Sequence, residues 1–239
     1  MRRLRLVLMA LLLCASAVTS ASAPVITKTY SYFDIQGLTG ADLERELSRN
    51  GPMLDQTGIR HPGATRINLG GSVDYKLVGK GDCADCSARK PFPLSLLDGL
   101  VALISGAPHL AMAGSMCHVT NAKVTLETHL TLPRWKDRNR ADRETVLVWD
   151  TLSSDIKRHE ERHAEIARQY ARKLEKTLEA LHPERDCKLM EAKVEATSNK
   201  IIEEHAADQQ RFDRVEAAAF ERRMLRMLRF RAEKQNNRS

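Results

Sequence analysis

Residues Trp149 to Pro183 read WDTLSSDIKRHEERHAEIARQYARKLEKTLEALHP. Apolar side chains recur at Leu152, Ile156, Ile166, Tyr170, Leu174, Leu178 and Leu181, which is the spacing of one helix face, so the stretch is one long amphipathic helix closed by Pro183. His159 and His163 fill the two vacant places in that stripe, whereas Arg158, Glu161, Arg162 and Glu165 form the polar side. A second helix is expected from near Asp186, with Met190, Val194, Ile201, Phe212 and Val215 on its inner face and His205 in the same row. Two such helices joined by a short link pack as an antiparallel hairpin.

The first half of the chain has the two-residue period of strands. Val25–Ile35 (VITKTYSYFDI) is rich in β-branched and aromatic residues, Thr65–Val78 alternates imperfectly, and Val119–Leu132 (VTNAKVTLETHLTL) alternates well. Between the first two, Thr39 as N-cap and Asp42 three residues later open a short helix that ends near Asn50, Gly51 and Pro52. The expected fold is therefore α+β, a small antiparallel sheet packed against a long C-terminal helical hairpin.

Residues 1–23 have the form of a secretory leader: Arg2, Arg3 and Arg5, an apolar run from Leu6 to Leu13, then small residues that fit cleavage after Ala17 or Ala21 better than after Ala23, which would leave Pro24 first. Export is thus the expectation, to the periplasm or beyond. Loss of the leader's three arginines lowers the formal charge from +7 to +4 (7 − 3 = 4), which leaves little argument for a nucleic-acid partner. The remaining cysteines, Cys83, Cys86, Cys117 and Cys187, are even in number, as disulfides in an oxidising compartment require. Of the three possible pairings we favour Cys117 with Cys187 and Cys83 with Cys86, with a redox or metal role for the CADC pair as the other reading. One domain over residues 24–220 is expected, interrupted at about 79–115 by an insertion that carries Pro91, Pro93 and the run LSLLDGLVALISGAPHLAMAG. Asp98, Gly99, Gly106 and Pro108 break that run below membrane-spanning length, so it reads as a core helix or an apolar flap. The basic stretch 221–239 reads as a helix fraying into a tail, with weak contact to an anionic membrane surface as one role for it.

His159, Glu160 and His163 form H-E-x-x-H. Residues i and i+4 on a helix point the same way, so both imidazoles can reach one Zn2+ ion, and Glu160 beside the first is placed to act as general base. The pattern arises by accident in about two chains per hundred of this composition, so its register on the apolar stripe is the stronger argument. Catalytic zinc sites use three protein ligands. His163 lies 21 positions before Glu184 and His205 lies 21 after it, so a hairpin turning there sets them level and makes His205 the first choice. Asp208, Asp213 and Glu216 are the carboxylate alternatives. His61, His109, His118 and His129 read as structural or exposed.

The chain also resembles a family of bacterial proteins described as predicted secreted zinc-dependent proteases. The resemblance rests on YSYFDIQG (Tyr30–Gly37), RNGP (Arg49–Pro52), Cys117, TLPRW (Thr131–Trp135), Trp149, RHEERH, Cys187 and QQRFD (Gln209–Asp213). It implies one secreted domain with His159, Glu160 and His163 in protease-like positions. Beyond the aspartate matching Asp213 the family pattern has a threonine and then His-Gly, where this chain has Glu216 and then Ala218-Ala219. The insertion with Cys83 and Cys86 is a second departure. The expected function is a secreted or periplasmic zinc metallopeptidase acting on peptides or proteins; the alternative is a non-catalytic envelope protein that binds metal or a partner through its hairpin.

Overall fold

A computed structural model describes residues 23–54, 58–79, 87–93 and 114–237. In chain order these form β1 (Val25–Ile35), α1 (Gly40–Asn50), β2 (Met53–Leu54), β3 (Ile59–Arg60), β4 (Ala64–Val78), β5 (Ser87–Pro93), β6 (Met116–Trp135), a 3-10 turn (Arg138–Arg140), α2 (Arg143–Glu179) and α3 (Cys187–Asn236). The main sheet has the order β1-β6-β4-β5, and α2 and α3 form the expected hairpin.

The alternation of β6 does what its sequence requires. Ala122, Val124, Leu126, Leu130 and Leu132 are buried, whereas Lys123, Thr125 and Glu127 between them are exposed. Across this surface lies α2, whose Ala164, Ala167 and Ala171 are small enough to let the helix backbone approach the sheet, with Leu174 and Leu178 fully buried beyond them. Met190, Val194 and Ile201 of α3 close the same core.

The sheet is mixed. β6 pairs antiparallel with β4 but parallel with β1, in register from Val25↔Thr125 to Ile35↔Trp135. β5 falls inside the stretch read as an insertion. Pro91 and Pro93 hide it in the sequence, yet proline is tolerated at a sheet edge, where the absent N–H need not enter a ladder. The Cys83–Cys86 pair and the apolar run after Pro93 lie outside the described residues.

The sheet's other end has its own small core of Ile35, Leu43, Trp135 and Trp149. The two indoles meet edge to face at 5.7 Å, and Trp135 Nε1 donates to the Gly37 carbonyl at 2.9 Å. Helix α1 is opened by the expected capping box between Thr39 and Asp42. Gly51 ends it at a point where an added Cβ would stand 2.2 Å from the His61 carbonyl oxygen, so no larger residue fits there.

The link between α2 and α3 is not a symmetrical turn. Glu184 forms an isolated bridge with Cys117 of β6 (N···O 2.6 and 3.0 Å), and Cys187 is disulfide-bonded to Cys117 as expected. The link thus touches the sheet, and α3 meets α2 about one turn out of step with a hairpin centred on Glu184. His163 consequently faces Gln209, four residues beyond His205 (209 − 205 = 4). Val215, expected on the inner face, is 62% exposed, because the row that meets α2 runs through Phe212 and Glu216. α3 continues to Asn236, and within the stretch read as a tail Arg223 is paired with Asp155 and Arg231 with Ser154, both on α2. Among the described residues no helix is long and apolar enough to cross a membrane.

Candidate metal centre

His159 and His163 lie where the sheet-facing side of α2 turns towards α3. They are partly buried, and their rings sit 4.7 Å apart in an edge-to-face arrangement. Phe212 of α3 packs on both, stacked on His159 at 4.9 Å and edge-on to His163 at 5.1 Å. One turn of α2 and one of α3 thus fix both rings.

Asp213 completes the group. The two Nε2 atoms are 3.0 Å apart, and Asp213 Oδ1 lies 3.0 Å from His163 Nε2 and 3.3 Å from His159 Nε2. Ligand atoms bound tetrahedrally to zinc at its usual 2.0–2.1 Å stand about 3.3 Å from one another. The triangle observed is therefore close to the face of such a tetrahedron, with two nitrogens and one oxygen as its corners. Its fourth corner is left to whatever enters. Burial, and then the charge on neighbouring His163, hold the His159 imidazole below its ordinary value, which favours the neutral form that a metal needs.

Three residues considered from sequence are placed differently. His205 is joined to Gln209 Nε2 at 2.8 Å and lies outside the triangle; Asp213 takes the third position because of the hairpin's shifted register. Asp208 accepts a hydrogen bond from Tyr170 Oη at 2.7 Å and pairs with Arg211. Glu216 is held by Arg158 and by Arg223, so the departure from the family pattern at that point is filled by an ion-pair network. That network is completed by Asp155, buried at 4% exposure, which receives two parallel bonds from Arg223 (2.9 and 3.0 Å) and is bonded by Arg158 at 2.9 Å.

Glu160 is the most buried member of the motif, at 6% exposure. The Thr65 hydroxyl of β4 lies 2.8 Å from Glu160 Oε2 and 3.0 Å from its backbone carbonyl. A Cβ added at Gly63 would stand 3.0 Å from Glu160 Oε1 and 2.8 Å from Ile156 Cγ2, so glycine there lets the β4 backbone close over the carboxylate. Burial raises the Glu160 carboxyl above its usual range, opposed by the Thr65 hydrogen bond and the nearby His163. A raised carboxyl is a better proton acceptor at neutral pH than a free one.

The chemistry available is that of a divalent-cation site of two imidazoles and one carboxylate, with a second, desolvated carboxylate beside it. The sequence marked the two histidines and Glu160. It did not reveal that Gln209, Phe212 and Asp213 act together, although the i, i+3, i+4 spacing within QQRFD places all three on one helix face.

No curated protein and no solved structure matches the chain. Residues 30–90 and 104–220, most of its length, match the profile of bacterial proteins of unknown function termed DUF922, and the chain belongs to that family.

Proposed function

We propose that the protein is an exported zinc metallopeptidase. The observation that carries this reading is the triangle of His159, His163 and Asp213 atoms at tetrahedral spacing, beside a buried glutamate directed by Thr65. When bound, the ion supplies Lewis-acid polarisation of a carbonyl and acidifies water. The remaining work falls to the chain. His159, His163 and Asp213 hold the ion, Phe212 keeps their rings in place, and Glu160 takes up and later returns a proton. The Thr65 hydroxyl orients its carboxylate.

A peptide substrate is favoured by the surface beside the site. An apolar cavity of about 510 Å³ lies between α1 and α2, lined by Leu43, Leu47, Val148, Trp149 and Leu152. Leu152 and His159 are seven residues apart on the same face of α2, about 10 Å along its axis, or the reach of about three extended residues. Pro62 borders the cavity, and the next residue, Gly63, packs on Glu160. Large apolar side chains a few residues from the scissile bond are accordingly the expected preference. Val148→Arg should raise KM for such peptides at least tenfold while zinc content stays unchanged, measured by peptide kinetics and metal analysis.

The test of the function is Glu160→Gln. In zinc-loaded protein this variant should keep its metal and lose at least a hundredfold in peptide hydrolysis, the ordinary worth of a general base. No cleavage by the wild type across a broad peptide library would leave the non-catalytic metal-binding reading in its place, and equal cleavage by both proteins would remove Glu160 from the reaction.

A further inference from the structure

We propose that Gln209 and His205 form a relay that fixes the tautomer of His163, so that this histidine offers Nε2 and not Nδ1 to a metal ion. The proposal rests on the metal-site reading above and adds two positioning residues to it.

The assignment follows from a backbone carbonyl. One end atom of the Gln209 side chain lies 3.1 Å from the His163 carbonyl oxygen and 2.8 Å from His205 Nε2; the other lies 2.6 Å from His163 Nδ1. A carbonyl can only accept, so the atom facing it is the amide nitrogen. The opposite atom is then the amide oxygen, which also can only accept. His163 Nδ1 must therefore carry a hydrogen and donate it to Gln209. A neutral imidazole bears one hydrogen, so Nε2, the atom facing His159 and Asp213, keeps its lone pair.

His205 sets the other end of the relay. The amide nitrogen has two hydrogens, one given to the His163 carbonyl and one to His205 Nε2, so that nitrogen accepts and His205 carries its own hydrogen on Nδ1. Tyr170 packs edge-on against the His205 ring at 5.4 Å, which limits its rotation. Burial holds His205 below its ordinary value, which favours the neutral ring, and the amide hydrogen it receives selects Nε2 as the bare nitrogen. A flipped amide would set its oxygen against the carbonyl and its nitrogen against Nδ1. The His163 carbonyl therefore opposes that flip, and with it the tautomer that puts the hydrogen on Nε2. His205, three helical positions from Asp208 and eight from Asp213, acts on the metal only through Gln209.

Outer-shell partners of this kind are worth about 10–100-fold in metal affinity. Gln209→Leu, which removes the acceptor, should weaken zinc binding by about that factor in a competition titration with a chromophoric chelator. Gln209→Glu keeps an oxygen opposite Nδ1 and should bind more tightly than Gln209→Leu. His205→Leu leaves the amide anchored at one end and should lose less than Gln209→Leu. A second readout needs no variant. Imidazole 15N spectra of the metal-free wild type, at a pH where the rings are neutral, should show the hydrogen of His163 on Nδ1. A hydrogen on Nε2 in that spectrum, or a Gln209→Leu affinity within twofold of wild type, would overturn the relay. His159→Ala serves as the control for the site itself: if it binds zinc as the wild type does, the metal-centre reading falls, and the 15N spectrum still decides the tautomer.

Discussion

Replacing His163 with alanine is expected to weaken zinc binding by about a hundred- to a thousandfold. Structural zinc sites with four ligands bind with about 10–16 kcal/mol, or roughly 2.5–4 kcal/mol for each ligand, and the loss of one is paid in full at a site that has only three. His163 is the costliest of the three to lose, because it touches His159, Asp213 and Gln209 together. Its removal leaves His159 and Asp213 3.3 Å apart with no third corner. Chelator competition gives the affinity, and circular dichroism checks that the fold survives. An unchanged affinity would place the ion, if any, elsewhere. Asp213→Asn should show a smaller loss, since its amide oxygen can still ligate while the charge is gone.

Asp155→Ala is expected to destabilise the protein by about 3–5 kcal/mol, the usual cost of removing one partner of a buried ion pair. The loss would leave Arg223, with only 15% of its side chain exposed, facing an empty place between α2 and α3. Glu216, which also contacts Arg223, would recover part of the interaction, so the lower end of the range is the better guide. The same carboxylate carries a pH dependence. Burial alone would raise its value, but hydrogen bonds from Arg223 and Arg158, and their charges, outweigh this and hold it below 3.8. A value lowered by folding means that its contribution is complete above about pH 4 and is lost as the pH falls through the folded-state value. Urea titrations at neutral and acid pH should therefore show the gap between Asp155→Ala and wild type narrowing towards acid. A constant gap would mean that the network contributes by packing alone.

What could be read in advance follows a physical division. Local rules found β6 from its alternation, α1 from Thr39 and Asp42, and α2 from its apolar stripe, because each depends on residues within one or two turns. The Cys117–Cys187 bond, favoured among three possible pairings, is present. Properties set by distant partners were not. The parallel placement of β1 is decided by β6, 100 positions later, and the edge position that tolerates Pro91 and Pro93 by β4. Hairpin register depends on the link, where Glu184 is bridged to Cys117 of a distant strand, so the sequence put His205 first and Asp213 among the alternatives, whereas the fold brings Asp213 to the histidines. Burial of Glu160 was missed for the same reason, since Thr65 belongs to β4 and Gly63 to the chain entering it.

The parallel pairing of β1 with β6 also governs the order in which the molecule assembles. About 100 residues separate β1 from its partner in β6, and all of them must follow β1 before that ladder can form. Through that interval VITKTYSYFDI has no ladder to join, and an unpaired strand rich in β-branched and aromatic residues invites association with other chains. The strand made first thus cannot enter the sheet until β6, the last of the described strands, is present. Tyr30 of this strand donates to Glu161 of α2 at 3.0 Å, so the pairing with β6 also places a contact on the helix that carries the histidine pair.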